Sequence, residues 1–167
     1  QGEESLHPNN NVHLCAARCS VELFFATSSH YHLENAYRHY QNSIELLRVD
    51  MATMMLLPPI LFEFGRMLEY FGAFQAALDL YGRILANFPN FRGYFDAMYR
   101  SAVAGKHVAS LTSDKTEKED ILVKCIDIYQ FLLEALPSTI NDLHIIVGYL
   151  RALEMSLNPS IRFRAMG

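Results

Sequence analysis

Three features of the sequence predict an all-α protein. Apolar residues recur at helical spacing, with Phe74, Ala77, Leu78, Tyr81 and Leu85 forming one stripe at i, i+3, i+4, i+7 and i+11. Strand signals are missing: there are no alternating Val/Ile/Thr runs and no Asn-Gly or Asp-Gly hairpin pairs. The helical pattern also repeats. Leu33-x-x-Ala36-Tyr37-x-x-Tyr40-x-x-x-Ile44 matches Phe74-x-x-Ala77-Leu78-x-x-Tyr81-x-x-x-Leu85 and again Leu122-x-x-Cys125-Ile126-x-x-Tyr129-x-x-x-Leu133. In each copy a small residue lets a neighbouring helix approach, and the tyrosine four residues on packs its ring with the hydroxyl at the edge.

Seven helices follow, over residues 12–28, 33–49, 59–71, 74–87, 91–111, 116–135 and 139–157. The polar stretch 1–10 reads as a loose end and 160–167 as a tail, which leaves 11–159 as the helical domain. Gly72 separates the third and fourth helices, where a positive φ can turn the chain. Pro89 and Pro137 each stand four residues beyond a copy of the repeat and stop its helix. Asn90 is the expected cap of the fifth helix. The repeat tyrosines are 41 and then 48 residues apart. The extra residues in 105–120 are accommodated by lengthening the fifth and sixth helices around a polar Thr112-Ser113-Asp114-Lys115 turn; a plain loop is the alternative. Thr116 with Glu119 reads as a capping box in preference to a phosphorylation site. The seventh helix stops at Asn158-Pro159.

Composition narrows the function. The chain has 167 residues, 51% of them hydrophobic and 19% charged, enough to bury a core. A net charge of −4 argues against a general nucleic-acid binder. Three cysteines do not make a disulfide scaffold and suggest a reducing, intracellular and cytoplasmic setting. The longest apolar run, 51–62, is too short to span a bilayer and is broken by Pro58-Pro59, and no signal peptide is visible. No catalytic motif is present, so no enzyme activity and no cofactor are expected. His30-x-His32 with His39 is the densest histidine cluster, but His30 and His32 fall in a predicted turn and lack further convergent ligands, so no metal site is expected. Cys15 and Cys19, with His13 nearby, could offer two zinc ligands; core packing is the expected role. Cys125, at the small position of its repeat, is read as structural.

Residues 58–91 resemble a tetratricopeptide repeat, a 34-residue helical hairpin. Gly65, Gly72, Phe74, Ala77, Tyr81 and Pro89 fall on the family's small, turn, aromatic and proline positions, whereas Leu61 stands where tryptophan is usual and Ile84 where alanine is usual. Degenerate copies flank it, so the resemblance extends over about 17–137. It implies a right-handed α-solenoid of about three antiparallel hairpins plus a closing C-terminal helix, acting as a protein–protein interaction scaffold. The first helix of each hairpin would then line a concave groove. Its positions here are Val21 and Phe25, with Ser28; Phe62, Arg66, Glu69 and Tyr70; and Asp96, Arg100 and Val103. Arg66 and Arg100 are 34 residues apart, and arginine clamps carboxylates bidentately. Ion pairs of Arg66 with Glu63 or Glu69, and of Arg100 with Asp96, are the plainer reading. The family's mode of gripping a C-terminal Glu-Glu-Val-Asp carboxylate is not expected, because Val21, Phe25 and Ala97 occupy its polar positions. The implied partner is a helix or an extended hydrophobic segment. The alternative is an assembly module that self-associates or stacks with further repeats, since uncapped solenoid ends are apolar.

Overall fold

A computed structural model describes residues 8–48, 54–135 and 141–156. All seven helices are present: α1 (Pro8–Thr27), α2 (His30–Arg48), α3 (Leu57–Tyr70), α4 (Phe74–Asn87), α5 (Tyr94–Leu111), α6 (Lys115–Ala135) and α7 (Asn141–Met155). A 3-10 turn, Met54–Leu56, leads into α3. No strand occurs among the described residues, and no described helix is long and apolar enough to cross a membrane. The chain forms two compact units, Gln1–Phe64 and Gly65–Gly167, divided within α3.

In the first unit α1 packs along α2. The small residues Ala17 and Ala36 are fully buried, beside Tyr40, Ile44 and Leu47. Helix α1 starts earlier than the sequence suggests: Pro8 opens it, as proline favours the first turn. Asn10, expected in a loose end, is instead completely buried and accepts a hydrogen bond from the Ser43 hydroxyl. Only Ser28 and Ser29 separate α1 from α2, so His30 and His32 lie in a helix rather than in a turn. The tight link depends on Ser28 at φ +55°, a left-handed conformation in which its N–H reaches Phe24 O at 2.7 Å. Thr27 closes the same end by donating to Leu23 O and accepting from the Ser29 N–H.

In the second unit α4 packs on α5, α5 on α6 and α6 on α7, and α5 also touches α7. Helix α3 ends in a Schellman turn: Ala73 N–H bonds Leu68 O at 2.9 Å and Gly72 N–H bonds Glu69 O at 3.0 Å, with Gly72 at φ +79°. Helix α4 has the bounds expected from its stripe. Helix α5 begins at Tyr94 with Gly93 before it, and Asn90 does not cap it. Two successive turns intervene, Phe91 N–H to Phe88 O and Tyr94 N–H to Phe91 O, and delay the helix by three residues. Helices α5 and α6 are lengthened, leaving a three-residue link at 112–114. The cap of α6 is Asp114, whose Oδ1 accepts the Glu117 N–H at 2.8 Å. Thr116 lies inside the helix and Glu119 accepts from Ser156, so the capping box does not form. The predicted stop at Asn158-Pro159, the tail 160–167 and the Pro137 boundary lie outside the described residues.

Three glycines of the second unit are closely covered by side chains of a neighbouring helix. A Cβ on Gly65 would sit 2.7 Å from the Tyr81 ring, one on Gly148 2.8 Å from Tyr129, and one on Gly105 2.8 Å from Cys125 Sγ. Cys125 is buried, and burial pushes its thiol up to about 11. Cys15 and Cys19, expected in the core, are exposed: they lie on the side of α1 opposite buried Ala17, away from α2.

Two stability changes of opposite sign follow. Gly65→Ala forces the Tyr81 ring from its seat and lowers the unfolding free energy by about 1–3 kcal/mol in urea titration followed by circular dichroism. Ser28→Gly relieves the left-handed strain and raises it by about 0.5–1 kcal/mol in the same assay.

Candidate partner-binding surface

Two carboxylates on α3, half-buried Glu63 and buried Glu69, organise the polar groups around it, one in each unit. In the second unit Glu69 projects from the last turn of α3, with only 8% of its side chain exposed. A carboxylate so placed needs charged or hydrogen-bonding partners. It accepts the Tyr81 hydroxyl at 2.7 Å, pairs with Arg100 Nη1 at 3.4 Å and lies 3.9 Å from Arg66 Nε. Three helices thus meet at one side chain. Tyr81, buried and donating to this carboxylate, is held well above the usual phenol range, first by burial and then by the hydrogen bond. Arg66 remains about half exposed and Arg100 less so. The Arg100 guanidinium also lies 5.7 Å above the Tyr99 ring.

The residues assigned to a groove therefore divide. Arg66, Glu69 and Arg100 are brought together. Tyr70, beside them on α3, is 69% exposed. On α5, Asp96 is exposed and Val103 half-buried. The expected Arg100–Asp96 pair is replaced by Arg100–Glu69, because the buried carboxylate is the stronger electrostatic partner. The Arg66–Glu69 pair forms at long range, and Arg66 does not engage Glu63. In the first unit Val21 and Phe62 are half-buried, while Phe25 and Ser28 are exposed. Ser28 is the backbone pivot already described.

Glu63 is engaged elsewhere. Arg18 grips it with two bonds, Nε to Oε1 at 2.8 Å and Nη2 to Oε2 at 2.6 Å, and the Tyr40 hydroxyl donates to Oε1 at 2.7 Å. Burial opposes its charge, but the bonds from Arg18 and Tyr40 prevail and hold it below the usual carboxylate range. No sequence signal marked this network, since Arg18 and Glu63 are 45 residues apart. Tyr40 and Tyr81 occupy the same position of the repeat, which is the one clue that both hydroxyls would seek a partner on α3.

The histidines also re-pair. His39 Nδ1 lies 2.9 Å from His13 Nδ1 between α1 and α2, so one nitrogen carries the proton and the other accepts it. Burial lowers the His39 pKa, and the neighbouring His13 and Arg38 lower it further. Among the described residues no three His, Cys, Asp or Glu side chains converge to hold a metal. Elsewhere in the second unit an open, largely apolar cleft of about 430 Å³ lies between residues 72–76 and the end of α5 at Val108, Leu111 and Thr112. The stacked pair Phe74–His107, with centroids 4.2 Å apart, bridges these two helices.

No family model matches the chain, and no curated protein matches it.

Glu69→Ala removes the acceptor of the Tyr81 hydroxyl and the anion that two arginines share. The expected loss is about 2–3 kcal/mol in urea titration. The histidine pair gives a pH dependence. A base whose folded pKa lies below its unfolded value of 6.5 binds fewer protons when folded, so its contribution is complete above pH 6.5 and is lost as pH falls below it. The acid-side slope of stability against pH should flatten in His39→Gln, as measured by denaturation at a series of pH values.

Proposed function

We propose that the chain is a protein-interaction scaffold, a tetratricopeptide-like right-handed α-solenoid that binds a helix or extended segment of a partner protein. The surface that takes the partner is that of α3 and α5 within residues 65–167. The observation that carries this reading is the sharing of Glu69 by Arg66 and Arg100. These arginines lie 34 residues apart, one on the first helix of each of two successive hairpins, and both keep part of their guanidinium at the surface. Their side-chain freedom is already reduced, so a partner carboxylate or backbone carbonyl meets ordered donors at low entropic cost. Tyr70 beside them offers an aromatic contact of the kind that dominates interface energetics.

Further support comes from the hairpin pattern. The contact between α5 and α7 supports this reading, since stacked hairpins require one first helix to pack on the next. Gly65 under Tyr81, and Gly72 at its left-handed turn, support it as well, because a tetratricopeptide-like hairpin needs a small residue and a tight turn there. The mode of action is binding by a preformed surface with little rearrangement. A second reading, an assembly module, is favoured by the exposed Ile146, Val147 and Leu150 on α7.

The test is a pull-down with wild type beside Arg66→Ala/Arg100→Ala, with captured proteins identified by mass spectrometry and folding checked by circular dichroism. A partner held by wild type and lost from the folded double variant is the expected result. Equal capture by both removes this surface from consideration.

A further inference from the structure

We propose that the outer face of α1 is a self-association surface, on which a second copy of this chain lays its own α1 antiparallel, about a two-fold axis through Cys19. This inference is independent of the α3–α5 surface. Helix α1 is apolar around most of its circumference, although it packs on α2 through one side only. An apolar helix face left at the surface marks an interaction site. Opposite buried Ala17 run Val12, Cys15, Cys19, Leu23 and Ala26, all exposed, with Val12 at 64% and Leu23 at 46%.

The spacing of this stripe suits a second copy of the same helix. The steps are three, four, four and three residues, the same read in either direction. An antiparallel copy of the same helix therefore presents the same steps, and the antiparallel arrangement is the one that brings opposite charges on the flank together. In this register Cys19 faces Cys19, Cys15 faces Leu23, and Val12 faces Ala26 of the second copy. Small cysteine and alanine side chains allow close approach, and an isologous contact of this kind closes as a dimer.

The charges fit the same register. Arg18 and Glu22 lie on one flank of the stripe and are exposed. Glu22 makes no hydrogen bond or ion pair among the described residues. Arg18 spends Nε and Nη2 on Glu63, which leaves Nη1 for another acceptor. A two-fold through Cys19 places Arg18 and Glu22 of the second copy about 3 Å apart along the helix axis, twice over. A lone helix pair lies at the small end of specific interfaces, so the expected affinity is micromolar.

Sedimentation velocity of the reduced, full chain from about 1 to about 100 µM should therefore show a monomer–dimer equilibrium. Val12→Glu/Leu23→Glu should be monomeric throughout, with an unchanged circular dichroism spectrum. Glu22→Lys, remote from the α1–α2 contact, should raise the dissociation constant about tenfold, the loss expected for two rim charge pairs. Oxidation by copper–phenanthroline and oxygen removes two electrons and two protons from a pair of thiols. It should give a disulfide-linked dimer with wild type and Cys15→Ser, and none with Cys19→Ser. A monomer over the whole range, a dimer that survives the double glutamate variant, or cross-linking that persists in Cys19→Ser would each overturn the proposal.

Discussion

How near two helices can come is decided by the smallest residue between them, and in the second unit glycine takes that place three times. Gly65 receives the Tyr81 ring, Gly105 the Cys125 sulfur and Gly148 the Tyr129 ring. Each seat leaves no room for a methyl group, so each sets a helix spacing that its neighbours inherit. The fully buried Tyr81 and Tyr129 are the largest side chains to depend on it. Where the rings settle, their hydroxyls are fixed too, and the polar arrangement along α3 follows.

The third repeat shows what that dependence costs. Tyr40 and Tyr81 each place their hydroxyl on a glutamate of α3, Glu63 and Glu69. Tyr129, at the same repeat position, has its hydroxyl buried with no hydrogen-bond partner among the described residues. Its ring faces Gly148 of α7. A stranded hydroxyl costs about 1–3 kcal/mol, so the ring's packing has been kept at the expense of its polar group. Glu69, by contrast, converts a packing position into an electrostatic one: the carboxylate that satisfies Tyr81 also gathers arginines from two helices.

Periodicity carried most of the helical architecture. The bounds of α4 and the end of α5 could be read directly, because long apolar stripes and the Gly72 break are local signals. The errors lie where a side chain chose a distant partner. Asn10 reads as polar and terminal, yet it is buried by Ser43, 33 residues away. Asn90 and Thr116 have the chemistry of caps, but the turns around Phe91 and the carboxylate of Asp114 came first. Arg100 was as well spaced for Asp96 as for nothing else in sequence, and only the approach of α3 to α5 offered it Glu69. Cys15 and Cys19 match a core pattern, and what exposes them is the absence of a described helix on that side of α1.

The two-residue link at Ser28-Ser29, the Schellman turn at Gly72 and the three-residue link at 112–114 share a kinetic consequence. Helices α1 and α2, α4 and α5, α5 and α6, and α6 and α7 pack as neighbours in the chain, so these contacts close short loops and the entropy lost before the first contact forms is small. Chains of this low contact order fold fast and leave little time for unpaired apolar faces to meet the wrong neighbour. The left-handed serine between α1 and α2 is the one non-glycine residue with positive φ among the described residues, so closing that hairpin carries a local strain that the Gly72 turn avoids.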